Sequence, residues 1–598
     1  MTEELTKDIV REKLLESKKL GWKLEPEKSD NILVDKLLKK ASKTQKGGHG
    51  YPEFILTNQN YPELVIIVEC KKDRKFHESK EGDNFVLYAV DGVSHYSDAL
   101  TKEFNVISIA ASGTDKKNIK ISNFLQLKKS KFEKISSEFL NPSDLYEIYL
   151  TKTSKSDFEL NNFTKNLNER LHDEDIKEDK RCLLVSGILI ALQNKPFKKV
   201  YKDHKNTNLL FNSMIAAIVD ELEPKPENKE IIKKSFEWMK YHKVLNLDRA
   251  FVINLIDEIN ESFNNYIKTH EYFDFVSKFY VEFFRYASNA KSLGIVLTPP
   301  HIAELFNDLA ETNKNSVVLD NCCGTGSFLV SALRYMIKKC DGDKNKEKDI
   351  KEKQIIGIEK EQDMFVLSTC NMKIHDDGKS NIYYSSCFDF DQNKSFKNIK
   401  PTIGLLNPPF KPPKKQMKKK KEELEFVLNN LAMISPNGIT VALLPMDCVN
   451  TQRGEGLILK QELMSKHTLL GVMSLPDELF YDSDTSTVTC CIVVKAHVPH
   501  NKNFKSYLGY WKDDGFAKRK WGRVDDKNLW QEKKKVWLDS YFNKKEIKEL
   551  SALVALKPED EWCAEAYMMT DYEKLNKEDF EKTIKNFLSY KFINDKSY

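Results

Sequence analysis

Two stretches of the chain set reactive residue types at close, regular spacing. The first is TIGLLNPPFKPP (402–413), in which an apolar run ends in Asn407, Pro408, Pro409 and Phe410. Proline donates no ladder hydrogen bond, so two of them stop a strand. An ordinary strand-end turn would use the same residue types. The pattern also suits a pocket for one flat, amine-bearing ring. An amide oxygen and a carbonyl would serve as stiffly held acceptors, with an aromatic ring beside them. The second stretch is GGHGYPEFILTNQNYPELVIIVECKKD (47–73), where Glu53 opens one strand and Glu69 and Lys71 lie on the next. Strand alternation puts residues 69 and 71 on one face. Glu53 and Glu69 can hold Mg²⁺ through oxygen ligands, and Lys71 can orient a water or neutralise charge on a phosphate. A Glu-x-Lys on a strand is short, and plain scaffold carries it too.

These residues need elements to hold them. From about 291 to 500 the sequence alternates apolar strand runs with helical patterns, as in a doubly wound parallel sheet. Strands are predicted at 317–320, 355–359, 382–384, 403–406, 439–445, 469–475 and 488–495. In VVLDNCCGTGSFLVSAL the first strand ends at Asp320. A turn with Gly324 and Gly326 follows, and a helix begins near Ser327 and Phe328. Glycines there let backbone approach a ligand beyond the strand ends. The second strand ends at Glu359, where an acidic side chain can accept both hydroxyls of a ribose or simply be solvated. Residues from about 130 to 290 repeat Leu, Ile and Phe at helical spacing, and the aromatic stripe of DFVSKFYVEFFRYASNAK (274–291) reads as core packing. The run KKQMKKKKEE (414–423) reads equally as a solvated helix start or as a grip on phosphates.

Composition bounds the class without choosing the function. The 598 residues are 40% hydrophobic and 31% charged, a globular profile with several domains. Lys and Arg total 95 against 90 Asp and Glu, so net charge alone argues for no nucleic-acid partner. No apolar run is long enough to span a membrane, and the charged amphipathic start is unlike a signal peptide. The 11 cysteines show no CxxC spacing, which points to reduced thiols in a cytoplasmic protein.

Taken together, GIVLTPPHIAEL (294–305), Asp320 with Gly324-Thr325-Gly326-Ser327-Phe328, Gly357-Ile358-Glu359, and Asn407-Pro408-Pro409-Phe410 resemble the S-adenosylmethionine-dependent amino-group DNA methyltransferases in gamma-class order. The resemblance spans roughly 291–496. It implies that Thr298 and Pro299 touch the methionine part of the cofactor and that Asp320, Gly324, Gly326, Ser327 and Phe328 form the turn around it. It makes Glu359 the ribose ligand and Asn407–Phe410 the catalytic tetrapeptide, with Phe410 stacking on the base. Where relatives carry Gly-Asp after the third strand, this chain reads YYSSCFDF. Either Ser386 or Asp389 therefore takes the adenine contact. The target implied is adenine N6 in double-stranded DNA, flipped out of the stack because its amine is otherwise paired.

Glu53, Glu69 and Lys71 resemble the PD-(D/E)xK nuclease motif. Asp91, His95 and Tyr96 lie on the next helix, where relatives often carry Gln. The whole layout resembles the A subunit of Type IIB restriction-modification enzymes. It implies a multidomain α/β chain: a nuclease-like α/β domain at 1–130, a helical connector at 131–290, a Rossmann-like methyltransferase domain with a seven-stranded, mainly parallel sheet at 291–500, and a tail at 501–598 that meets a subunit or DNA. The function expected is bifunctional: adenine-N6 methylation with S-adenosylmethionine and Mg²⁺-dependent cleavage of unmodified DNA, in a hetero-oligomer whose separate specificity subunit reads the site. The alternatives are methylation alone beside an inactive nuclease-like domain, a DNA-binding scaffold, or a methyltransferase acting on RNA or protein glutamine.

Overall fold

A computed structural model describes residues 3–15, 22–43, 49–58, 63–116, 118–128, 130–267, 298–340, 343–375, 381–396, 399–410, 422–480, 487–519, 522–525, 527, 529–569 and 577–594. The aromatic stripe at 274–291 and most of the lysine run at 414–423 lie outside these residues.

The N-terminal region is a six-stranded sheet in the order β1 (Trp22–Pro26), β2 (Phe54–Asn58), β3 (Leu64–Lys71), β4 (Asn105–Ser112), β5 (Lys120–Gln126) and β6 (Glu133–Ser136). β3 and β4 are parallel and the other neighbours antiparallel. The parallel pair needs a crossover, and the Ala89–Leu100 helix supplies it. Both faces of β3 are buried, which explains its continuous apolar run LVIIV. β6 carries this sheet past the expected boundary at residue 130.

Helices between Pro142 and Ile267 follow. The Glu178–Ala191 helix is buried from Arg181 to Ala191, apolar almost all round, and packs on the Gln362–Ile374 helix of the next region. Lys180 pairs with Asp363, and Gln362 Nε2 donates to Ser235 Oγ at 2.9 Å. The helical region and one face of the following sheet therefore share a single apolar core.

That sheet contains β7 (Val318–Asp320), β8 (Ile355–Glu359), β9 (Asn381–Tyr384), β10 (Ile403–Leu406), β11 (Ile439–Pro445), β12 (Thr468–Ser474), β13 (Thr489–Lys495), β14 (Ser506–Tyr510) and β17 (Ser551–Val554). Their spatial order is β17-β14-β12-β13-β11-β10-β7-β8-β9. β9, β8, β7, β10 and β11 are mutually parallel, and β13 enters antiparallel. Seven of the strands are those predicted. The expectation of a seven-stranded sheet is corrected to nine, because β14 pairs parallel with β12 and β17 antiparallel with β14. Both come from residues expected to form a separate tail. β15 (Ala517–Arg519) and β16 (Gly522–Val524) form a hairpin between them.

Alternation divides the sheet. Leu405, Val441 and Leu443 enter the core shared with the helical region, while Leu406, Ala442 and Leu444 face the opposite core. Gly404 sits where a Cβ would lie 1.9 Å from Asn430 Oδ1. That closeness lets Asn430 reach across the sheet, taking a hydrogen bond from Thr440 Oγ1 at 3.0 Å. Asn321, just after β7, donates to Phe426 O at 3.0 Å and to Asn429 Oδ1 at 2.8 Å. The helix under β10 is thereby tied to the end of β7.

Candidate active site

β7, β8 and β10 are parallel neighbours, so Asp320, Glu359 and Leu406 all end their strands on one edge. The registers Val318↔Ile403 and Asp320↔Gly357 bring the glycine turn, the acidic strand end and the Asn-Pro-Pro-Phe turn side by side. Ligands of open α/β sheets bind in this crevice.

Asp320 is 2% exposed and accepts from Cys322 N at 3.0 Å. Burial pushes its carboxyl up to about 8, the Cys322 N–H opposes the shift, and the nearby Glu359 charge adds to it. Glu359 is 8% exposed and accepts three backbone N–H bonds, from Gly324, Lys360 and Glu361, each at 2.8 Å. Burial also raises this carboxyl, against those three donors. Gly324 has φ +53°, and a Cβ built on it would meet nothing within 4 Å among the described residues. That turn and two buried carboxyl groups beside it fit a cationic cofactor with a diol. Gly326, at φ +82°, precedes the Ser327–Lys338 helix. Ser327 Oγ lies 3.2 Å from Thr325 Oγ1, and Phe328 stacks on Phe306 inside the core. Ser386 is half-buried and accepts from Phe388 N at 3.3 Å, whereas Asp389 is exposed.

Asn407 is half-buried and donates from Nδ2 to Thr298 Oγ1 at 3.2 Å. The two motifs, 109 residues apart, thus meet directly. Thr298 is buried, and Pro299 caps the Pro300–Leu309 helix, with Pro300 at the first helical position where no N–H is needed. The amide that points its nitrogen at Thr298 has its oxygen at the other end, on the same short turn as the Pro408 carbonyl. Phe410, the last residue of the turn, is 8% exposed and meets Phe480 edge-on at 6.0 Å and 78°. The apolar contact outweighs exposure of a bare ring.

The second predicted cluster also assembles. Glu53 N donates to Val68 O at 2.9 Å, which sets Glu53 beside Glu69 across the β2–β3 pair. Glu69 is 2% exposed; its Oε1 takes both Lys43 and Lys71, the latter at 3.0 Å, and its Oε2 is buried without a partner among the described residues. Lys7, from the leading helix, sits 2.6 Å from Glu53. Burial raises the Glu53 carboxyl, Lys7 pulls it down and the Glu69 charge raises it further. Burial works against the charge on Lys71, but Glu69 prevails and the ammonium titrates above its usual value. On Lys43 burial prevails and lowers it. Two adjacent carboxylates, one with a bare buried oxygen, fit a hard cation. Among the described residues no group of three or more His, Cys, Asp and Glu side chains adds further ligands.

Of the residues on the crossover helix, Asp91 accepts from Ser79 N and Asn84 N and so closes a loop, and His95 stacks on Phe85. Tyr96 lies under Lys43, with Nζ 4.7 Å from its ring centre. Sequence reasoning missed Lys7 and Lys43. One signal was present: Gly92, mid-helix where glycine is unfavourable, would put a Cβ 2.9 Å from Lys43 Nζ. It also missed the contact between His301 and Asp514, 213 residues apart.

A family model for N-6 DNA Methylase matches residues 272–596. The Type II restriction enzyme and methyltransferase RM.BcgI of Heyndrickxia coagulans is 28% identical over 628 residues, covering 97% of this chain and 96% of the relative. A solved structure from work on assembly of the type I R-M system matches with TM-score 0.49 and 17% identity, over 70% of this chain and 94% of that one. The type I restriction-modification methyltransferase subunit of Streptococcus thermophilus matches with TM-score 0.44 and 15% identity, over 66% of this chain and 95% of that one. The family model covers more than half of the 598 residues, and the chain belongs to the N-6 DNA methylase family.

Proposed function

We propose that the chain is a bifunctional restriction-modification protein, which methylates adenine N6 in a specific DNA sequence and cleaves DNA lacking that mark. The observation that carries the methylation reading is the meeting of Asn407 with Thr298 beside the glycine turn. An exocyclic amine is a poor nucleophile because its lone pair is delocalised into the ring. The Asn407 side-chain oxygen and the Pro408 carbonyl accept its two hydrogens and favour a tetrahedral nitrogen, while the proline pair keeps both acceptors still. A flipped adenine reaches this turn, whereas a paired one does not. S-adenosylmethionine, when bound, supplies a methyl group already activated on a sulfonium. Glu359 orients the ribose, Asp320 and the glycine turn receive the methionine end, and either Ser386 or Asp389 meets the cofactor's adenine. What remains for the protein is alignment. Phe410, held edge-on by Phe480, stacks on the base.

Glu53, Glu69 and Lys71 support the cleavage reading. Mg²⁺, when held by the two carboxylates, supplies Lewis acidity at a phosphate. Lys71 then neutralises charge or orients water. The relative RM.BcgI, named as both restriction enzyme and methyltransferase, supports the fusion. A specificity subunit is the expected partner, because a separate reader of base edges is needed. The Lys577–Asn594 helix supports subunit contact: Phe580, Ile584 and Leu588, at helical spacing, are 56%, 57% and 49% exposed. The second reading, methylation with a silent nuclease-like domain, is favoured by Lys7 and Lys43, which occupy both carboxylates.

The test is to give the purified complex unmethylated DNA with Mg²⁺, and separately with tritiated S-adenosylmethionine. Tritium at adenine N6 together with fragmentation is the expected result. Tritium without fragmentation selects the second reading, and neither outcome together with no cofactor binding sinks both.

A further inference from the structure

The Pro300–Leu309 helix is gripped by a segment far along the chain. His301 Nε2 lies 3.2 Å from Asp514 Oδ2, and its ring stacks on Phe516 at 4.1 Å and 19°, with Trp530 edge-on at 5.0 Å. Asp514 is 1% exposed and receives Arg523 through two bonds of 2.9 and 2.7 Å, plus Phe516 N at 3.0 Å. Lys534 adds ion pairs to Glu304 at 2.7 Å and Asp308 at 3.1 Å. All these partners lie in residues 514–534, around the β15–β16 hairpin, where Lys518 and Arg519 are exposed.

Only Pro299 and Pro300 separate His301 from Thr298. Each proline fixes its own φ near −65° and restricts the residue before it. A shift of His301 is therefore passed to Thr298 with little loss. Thr298 in turn holds the Asn407 amide at 3.2 Å. A buried, doubly hydrogen-bonded carboxylate is a rigid anchor for such a chain of contacts.

We propose that Asp514, clamped by Arg523, is a positioning residue for methyl transfer. It acts through His301 and the proline pair on Thr298, and so sets the orientation of the Asn407 amide. The inference rests on the assignment of Asn407 as an acceptor for the target amine. The pair of Asp514 with Arg523, beside the hairpin, is thereby part of the transfer machinery, although it touches no reacting atom.

The experiment compares wild type, Asp514→Asn, Thr298→Val and the double variant in the full-length complex. The readouts are the single-turnover rate of tritium transfer to unmethylated DNA at saturating cofactor, S-adenosylmethionine affinity by calorimetry, and the thermal midpoint. Asp514→Asn is expected to slow transfer roughly tenfold, since small displacements of an aligned group are costly. Thr298 also stands where the methionine end is expected, so cofactor affinity should fall, by less than the transfer rate, and the double variant should be no slower than Thr298→Val alone. Arg523→Lys keeps the charge and loses the fork, so it should lie between wild type and Asp514→Asn; it also carries the test should Asp514→Asn not fold. A lower thermal midpoint with an unchanged transfer rate overturns the proposal, as do fully additive losses in the double variant. Wild-type transfer that survives Asn407→Ala overturns the assignment beneath it, a separate and visible failure.

Discussion

In the proposed methyltransferase cleft, Asp320 and Glu359 are 2% and 8% exposed and take hydrogen bonds from backbone N–H groups. In the N-terminal cluster, Glu69 is equally buried at 2%, yet its Oε1 faces two ammonium groups and Glu53 faces a third. Burying a carboxylate is expensive unless something compensates it. Peptide dipoles compensate in part, and burial still holds both carboxyls above their ordinary range. Lysines bring formal counter-charge to Glu53 and to one oxygen of Glu69, and an incoming cation has to compete with them. On the proposed function, the first site meets its ligand with backbone donors and the second with ammonium groups already in place.

The sharpest way to break this comparison is to disable each site and read both activities. Asn407→Ala is expected to cut methyl transfer about 10² to 10³-fold, the range for losing one preorganised polar group, and to leave cleavage of unmethylated DNA intact. Glu69→Gln is expected to cost cleavage several kcal/mol, roughly 100-fold or more, and to leave tritium transfer unchanged. If either variant removes both activities, the two sites are one functional unit and the comparison fails.

The next test sharpens the idea that lysines stand where a metal would. Lys43→Met keeps an unbranched apolar side chain and removes the ammonium that lies over Tyr96 and pairs with Glu69. Calorimetric titration with Mn²⁺ or Mg²⁺ should show tighter binding, by about tenfold for one displaced competitor. Weaker binding would mean that Lys43 assembles the carboxylates and does not guard them.

What the sequence made legible follows the same division. The strands that end at Asp320, at Glu359 and just before Asn407 are short apolar runs closed by a polar residue, so pattern and chemistry coincide. Their side-by-side placement follows from parallel topology. β14 and β17 were not legible, because SYLGY and SALV are short, lie among Trp, Lys and Asp, and acquire meaning only from partners fixed by register. The edge contact of Phe410 with Phe480 joins residues 70 positions apart and is not encoded locally. Lys7 and Lys43 resemble any surface lysine until the fold brings them to Glu53 and Glu69. The contacts of His301 with Asp514 and of Asn407 with Thr298 join positions far apart in the chain, and no local periodicity encodes such pairs.

The smallest effect is the most diagnostic of how the cleft is charged. Burial holds the Asp320 carboxyl at about 8, so near neutral pH the cofactor-free site carries a proton there. The sign is fixed by linkage. An acid whose folded value lies above its unfolded value binds extra protons in the native state, so it lowers stability as pH rises from about 4 to about 8. A cation bound beside Asp320 favours the ionised form and expels that proton. Affinity for S-adenosylmethionine should therefore rise with pH up to about 8, by about fivefold from pH 7 to pH 8, and then level off. The methionine amino group titrates in the same range, so the comparison ligand is S-adenosylhomocysteine, which has that group and lacks the sulfonium. The ratio of the two affinities, measured by calorimetry from pH 6 to 9, isolates the sulfonium's share. A rising ratio, with proton release detected in buffers of different ionisation enthalpy, supports a cleft held negative for a cation. A flat ratio would place the charge of Asp320 out of reach of the sulfonium and leave Glu359 and the backbone donors to carry cofactor recognition.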